Sequence, residues 1–453
     1  MVMLTGCMRP GMHAYPEEFV SFVFELWNDP SFQERLRGAD IDVSCRLPER
    51  GLLEQIVSTC YQASLMREEA RQVRFRIVLR PPEFFPDDAG PPTGLHRLLF
   101  SRPRPFNEYE LHRLALAADF YRVLIGVSLD PDDGPQIWGL VHTGTRWMQA
   151  VYGGSKPSPP LPPAPVIYVT DPGRLSLSIG PEMVASLVGG QINCPSVDVF
   201  ASHWLVESFA TVRSELMTMH EEARRRSDRV WATLHPDFVR ILAQQVVRRI
   251  LSVIRTSHHG GTIIYLPPEM GAEISGENRY MSVKYQFRDD EPRQRFRTLI
   301  LRIMNTLAQL HGDPGAPDRI IGWREYVACR SETMILLDEA IFDLAHFIAA
   351  LSAIDGAVVM TKRHEILGFG GVISGDVDKV ERVIHAFDME GALTEEELSE
   401  GVGTRHRAAY RLCHELHDAI AIVISQDGNV RVVKWLNDAV TYWDQASTGV
   451  PGF

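Results

Sequence analysis

The 453-residue chain has six cysteines, all scattered. Cys7, Cys45, Cys60, Cys194, Cys329 and Cys413 form no C-x-x-C and no close pair. That excludes a disulfide framework and a cysteine-built zinc cluster. They read as small core side chains in a reducing compartment. Basic charge is also short, with 46 Lys and Arg against 58 Asp and Glu and a formal net charge of −12. Nonspecific adhesion to DNA or to an anionic membrane is not expected, so a basic cluster needs a local explanation. The most apolar long segment, 334–354, carries Asp338, Glu339, Asp343 and His346, which argues against a membrane span. The N-terminus lacks the continuous apolar stretch of a signal peptide. A cytoplasmic protein with neither nucleic acid nor membrane as partner is expected, and no repeat of solenoid spacing is present.

What is there is a globular composition, 45% hydrophobic and 23% charged, over a length that suits two domains. PEEFVSFVFELW (16–27) has an acidic first turn and helical apolar spacing. VRFRIVLRPP (73–82) alternates apolar and basic residues and predicts a half-exposed strand. RVLIGVSLD (122–130) and QIWGLVHTG (136–144) predict two strands around the turn DPDDGP. SKPSPPLPPAP (155–165), with six prolines, can be neither helix nor central strand. Because APVIYVT and GRLSLSIG resume strand patterns at once, it reads as a stiff loop inside one domain rather than a linker.

A helical stretch at about 203–230 ends in Arg224, Arg225 and Arg226, a solvated helix end suited to the C-terminal dipole. The first domain is therefore expected to cover 1–230 and the second 235–440, with a tail at 441–453. FVRILAQQVVRRILSVIRTS predicts an amphipathic helix, HHGGTIIYLPPE a short strand, and 289–330 mostly helix. The helix 333–353 places Ile341, Leu344, Phe347, Ile348 and Leu351 on one face. Asp355-Gly356-Ala357 follows, and the strand VVM, the turn TKRHE and ILGFGGVI (366–373) predict a hairpin.

Three turn-borne polar groups lie within this second half. Asp355 is the only acidic residue at its junction, where aspartate is also an ordinary turn former. In GVGTRHRAAYR (401–411), Arg405, His406 and Arg407 occupy a helix start, where the macrodipole disfavours cations. Two readings stand: a solvated basic patch, or a phosphate cradle of backbone N–H groups and arginine forks behind a Gly-Thr turn. AIAIVIS (419–425) reads as a buried strand ending in Ser425-Gln426-Asp427-Gly428, with VRVVKW returning beside it. Ends of buried strands commonly face ligand crevices in α/β folds. His414 and His417 do not have H-E-x-x-H spacing, and His258-His259-Gly260-Gly261 reads as a turn.

DGA at 355–357, GTRHRAA at 403–409 and SQDG at 425–428, in this order, resemble the diadenylate cyclase (DAC, DisA_N-like) domain. That family joins two ATP molecules into cyclic di-AMP. HHGGTIIYLP looks like its first core strand, and the resemblance covers about 235–440. The family's Ser-Glu-Glu is Ser425-Gln426-Asp427 here, its Leu-Pro after the second hairpin strand is replaced by GFGGVIS, and 289–330 is longer and more charged. On IWGLVHTGTRW and VTDPGRLSLSIG, the N-terminal 230 residues resemble DACNV, a sensor-type domain that precedes divergent DAC domains in some bacterial proteins.

The resemblance implies an α/β (α+β) fold, with a central mixed sheet flanked by helices in the C-terminal domain and a separate N-terminal α/β sensor domain. It implies a nucleotidyltransferase with Asp355, Gly356 and Ala357 as its catalytic element. Gly403, Thr404, Arg405, His406, Arg407 and Ser425 would bind the phosphates, and Asp355, His406 and Asp427 would hold Mg²⁺ or Mn²⁺. ATP is the implied substrate, a homodimer or higher oligomer the implied assembly, and an unknown ligand the implied partner of the sensor domain. With Gln426 in place of a carboxylate, a second reading stays open: the same fold as a nucleotide-binding sensor without turnover.

Overall fold

The computed structural model describes residues 13–445 apart from 31, 35–45, 69–70, 92–93, 131–133, 145–162, 181, 194–197, 258, 275–277, 289–292, 317–318, 375–377 and 427. The proline-rich stretch up to 162, part of the DPDDGP turn, His258, Asp427 and the tail from 446 lie outside the described residues. The described chain forms two compact units, one up to Asn193 and one from Asp198.

In the first unit, helices α1 (Pro16–Trp27), α2 (Arg50–Ser64) and α3 (Glu108–Ala117) share one apolar core with a mixed sheet. Its strands are β1 (Phe75–Leu79), β2 (His96–Pro105), β3 (Val123–Asp130), β4 (Gly134–His142), β5 (Pro165–Asp171), β6 (Arg174–Ile179), β7 (Glu182–Val188) and β8 (Gln191–Asn193). Their order is β8-β7-β6-β5-β1-β3-β4-β2, with β1 and β3 parallel. The expected half-exposed strand at 73–82 forms over Phe75–Leu79 and is instead buried along that length, Arg76 included. As an inner strand, β1 has the α1–α2 core on one face and a second cluster around Phe85, Phe120 and Trp138 on the other. Arg76 reaches Thr143 at 3.5 Å and lies near the Phe120 ring.

The second unit is built on a mixed sheet sandwiched between helices. The helical layer comprises α4 (His203–Ser208), α5 (Ala210–Arg225), α6 (Phe238–Thr256), α7 (Arg295–Leu310) and α8 (Glu332–Leu351). The strands are β9 (Gly261–Leu266), β10 (Met281–Gln286), β11 (Ala357–Thr361), β12 (Ile366–Ile373), β13 (Arg382–Ala386), β14 (Thr394–Leu398), β15 (Ile420–Ile424), β16 (Val430–Leu436) and β17 (Ala439–Gln445). A last helix, α9 (Thr404–Glu415), covers the opposite face with Ala409, Leu412 and Cys413. The order is β10-β12-β11-β9-β15-β16-β17-β13-β14. GTIIYL is buried along its length because β9 is central: Ile263 and Tyr265 face the helical layer, Ile264 and Leu266 the α9 side. Each such aliphatic side chain contributes about 1.5–3 kcal/mol by burial.

Three expectations need correction or extension. The boundary set after residue 230 falls earlier, because Val212 and Leu216 of α5 belong to the core of the second unit. Phe347 is not on the buried face of α8; it is 48% exposed, while Ala345, Ile348 and Ala349 pack inward. The β13–β14 hairpin extends the sheet beyond β17, an addition that the sequence pattern had not suggested. Burial does agree with the reading of two cysteines as core residues: it pushes the Cys413 thiol up to about 12 and the Cys60 thiol well above its ordinary range.

His364, in the β11–β12 turn, is stacked between Phe209 and Phe296 at centroid distances of 5.7 and 4.4 Å. Burial pushes its imidazole down from 6.5 to about 4. The unfolded chain takes up this proton before the folded chain does. The associated stability is therefore complete above pH 6.5 and lost as the pH falls toward 4, a loss of about 3 kcal/mol. His364→Asn, which keeps a residue tolerant of the positive φ of 61°, should flatten that part of the stability–pH curve measured by urea unfolding; an unchanged acid slope would contradict the assignment. In the same assay Ile348→Ala should cost about 2–5 kcal/mol and Phe347→Ala under about 1 kcal/mol.

Candidate functional site

The site is set by the register of the central strands. β9 runs antiparallel to β15 with Gly261 opposite Ile424, and parallel to β11 with Ile263 opposite Val358. Continuing the parallel register brings Gly356 level with Gly261. The start of β9, the Asp355-Gly356 turn and the Ser425-Gln426 turn therefore share one end of the sheet. Two glycines permit this closeness. Gly260 has φ of +64°, and a Cβ there would lie 2.7 Å from Arg405 Nη1, 2.7 Å from the Ile424 carbonyl and 3.1 Å from the Gln426 amide nitrogen. Gly356 has φ of +119°, and its Cβ would meet the Gly370 carbonyl carbon at 2.6 Å and the Gly371 nitrogen at 2.9 Å. Both demand glycine by backbone conformation and by space.

The basic element comes from α9. It starts at Thr404 behind Gly403, without a side-chain cap or an acidic residue in its first turn. Its first-turn N–H groups and partial positive charge thus coincide with Arg405, His406 and Arg407, and that turn contributes no acidic residue to offset them. Arg405 Nη1 donates to the His259 carbonyl at 3.2 Å, linking α9 to the turn before β9. Arg407 is exposed and has no side-chain partner among the described residues. Asp355, also exposed, likewise has none. Ser425 anchors its own turn, its hydroxyl accepting from the Asn429 amide at 3.1 Å. His259, taken as part of a plain turn, is thus a contact of the basic helix start.

His406 lies beside a network that sequence reading missed. Arg431 on β16 donates twice to Asp444 on β17, at 2.8 and 3.3 Å, and once to Tyr410 Oη at 2.9 Å. Its guanidinium sits 3.8 Å from the Tyr442 ring centroid, and Tyr442 donates to Glu397 at 2.5 Å. His385 stacks on Tyr442 and approaches Glu397 and Asp444 at 3.3 and 3.5 Å. Burial first, then Arg431 and Arg405, pulls the His406 pKa down, which favours the neutral ring at pH 7. The one sequence signal for the network was Asn437-Asp438, both at positive φ, a two-residue hairpin turn that pairs Arg431 with Asp444. His414 and His417 instead pack on Trp435, His417 in parallel stacking at 4.1 Å.

Among the described residues no three His, Cys, Asp or Glu side chains form a group able to hold a metal by themselves. Asp427, one of the expected ligands, lies outside the described residues. An exposed, unpaired Asp355 suits an ion that uses one or two carboxylates and completes its shell with water and substrate phosphates, as Mg²⁺ does.

Gly260→Ala should test the convergence. Strain in the left-handed region costs about 1–3 kcal/mol, and the methyl group must displace Arg405 from the His259 carbonyl. Urea unfolding should show that loss, whereas Gly401→Ala, where a Cβ meets nothing within 4 Å, should not. Equal stability of the two variants would mean that the three segments do not meet as described.

Comparison with known families adds two matches. Residues 43–142 match the family described as "Probable sensor domain DACNV", and residues 338–435 match "DisA bacterial checkpoint controller nucleotide-binding", the DAC domain. The second match runs from within α8 to β16 and contains Asp355, the Gly403–Arg407 element and Ser425. No curated protein and no solved structure matches the chain. Over these residues the chain is similar first to the DACNV sensor family, at 43–142, and then to the DAC nucleotide-binding family, at 338–435.

Proposed function

We propose that the second unit condenses two ATP molecules into cyclic di-AMP and pyrophosphate, under the control of the first unit. The observation that carries this reading is the convergence of Arg405 and the Gln426 backbone, both within the segment that matches the DAC family, on Gly260 at the start of β9. A partly unpaired arginine pair at an uncapped helix start suits phosphate, and a free carboxylate lies at the same sheet end.

In this mechanism each subunit holds one ATP, and two subunits face each other. The 3′-oxygen of each ATP forms a bond to the α-phosphorus of the other, each bond to pyrophosphate breaks so that two pyrophosphates leave, and each 3′-hydroxyl proton passes to an Asp355. Arg405, Arg407, Thr404 and the first N–H groups of α9 hold the phosphates and offset charge on the departing pyrophosphate. Such a reaction depends on positioning and electrostatics more than on covalent help. His406, neutral beside Arg431, offers a ring nitrogen to a metal or a phosphate-bound proton. Mg²⁺ or Mn²⁺, held by Asp355 and His406 with Asp427, would supply charge neutralisation at the phosphate oxygens.

A second reading, nucleotide binding without turnover, is favoured by Gln426 standing where the family has a carboxylate. Against it, Gln426 meets Gly260 through its main chain, which the side-chain replacement leaves in place. Incubation of the full chain with ATP and Mg²⁺ or Mn²⁺, followed by mass spectrometry, decides between them. Cyclic di-AMP is expected, and Asp355→Asn should lower its formation about 10²–10⁴-fold with ATP affinity retained. ATP binding without product in either metal would establish the second reading; normal turnover in Asp355→Asn would remove Asp355 from its role.

A further inference from the structure

α9 rests on the sheet through Ala409, Leu412 and Cys413, apolar contacts that have no preferred direction. Over residues 404–411, two side-chain hydrogen bonds to the described residues add direction. Arg405 reaches the His259 carbonyl, and Tyr410 Oη accepts from Arg431 Nη1 at 2.9 Å. Tyr410 is fully buried and lies one helical turn beyond His406, on the same side of the helix.

Arg431 is itself held from its other side. It sits on β16 with Val433, on the face toward α9, while Val430 and Val432 face the helical layer. Asp444 accepts two of its N–H groups at 2.8 and 3.3 Å, and the Tyr442 ring lies 3.8 Å from it. Tyr442 in turn donates to Glu397 and stacks on His385, both from the β13–β14 hairpin. Only 17% of the Arg431 side chain is exposed. Burying an ion pair seldom adds net stability, whereas a bidentate fork fixes orientation. The hairpin, β17 and Arg431 thus form one chain of directional contacts that ends on α9. Its β17 members come from beyond residue 435, where the DAC match stops.

We infer that Arg431 is a positioning residue: acting through Tyr410, it fixes where the basic start of α9 stands at the sheet end. The consequence for turnover rests on the cyclase reading; the hold on α9 does not. Displacing reacting groups by about 1 Å costs on the order of 10²-fold in rate.

Tyr410→Phe removes this one bond and keeps the ring. In hydrogen exchange of the full chain without nucleotide, it should speed exchange over 407–412 at least about tenfold, with 238–256 unchanged. With ATP and Mg²⁺, kcat for cyclic di-AMP should fall at least about tenfold and KM stay within about threefold, since Arg405 and Arg407 remain. Arg431→Met should act likewise, and the double variant should lose no more than Arg431→Met alone. Unchanged exchange over 407–412 would overturn the proposal whether or not the chain makes cyclic di-AMP. Faster exchange over the whole second unit with kcat unchanged would make Arg431 merely structural, and additive losses would exclude action through Tyr410. Local acceleration in a chain that makes no product would establish the hold on α9 and remove the cyclase reading alone. Should Arg431→Met fail to fold, Tyr410→Phe decides by itself.

Discussion

There is no room for a side chain at residue 260. A single methyl group there would contend with the Arg405 guanidinium, the Ile424 carbonyl and the Gln426 amide at once. This close approach joins the turn before β9, the start of α9 and the end of β15, which are far apart in sequence. The strand register carries the same constraint to Asp355, because β11 lies parallel to β9 and Gly356 is pressed against Gly370 and Gly371. Positioning of charge at this sheet end is therefore a consequence of backbone packing. The side chains that would handle phosphate are held by elements that cannot drift without unpacking the sheet.

The central strands serve two faces. β9 presents Ile264 and Leu266 to α9, and Ile263 and Tyr265 to the helical layer. Its first residues belong to the basic sheet end, and Tyr265 lines an apolar cavity. β15 has the same double role, with Ile424 beside Gly260 and Ile422 in the cavity wall.

Much of the site was legible because its signals are local. The helices 16–27, 238–256 and 404–415 and the strands 261–266 and 420–424 follow from apolar periodicity, with glycines marking the starts of 261–266 and 404–415. What escaped depends on distant partners. Arg76 looked like the exposed side of a strand, but β1 is covered on both faces. Phe347 fits a helical stripe by spacing, yet the neighbours of α8 sit over Ile348 and Ala345. The Arg431–Asp444 pair needs the β16–β17 register, and its links to Tyr410 and Glu397 need α9 and the β13–β14 hairpin as well. The helix at 210–225 looked like the end of a first domain because its apolar stripe does not name its partner.

The central claim is that three separate segments form one nucleotide-binding sheet end. Hydrogen exchange of the full chain, with and without α,β-methylene ATP and Mg²⁺, tests it most directly. The account predicts added protection in peptides spanning 259–261, 403–408 and 424–428 together. Protection confined to the first unit, or missing from any one of these three segments, would contradict it.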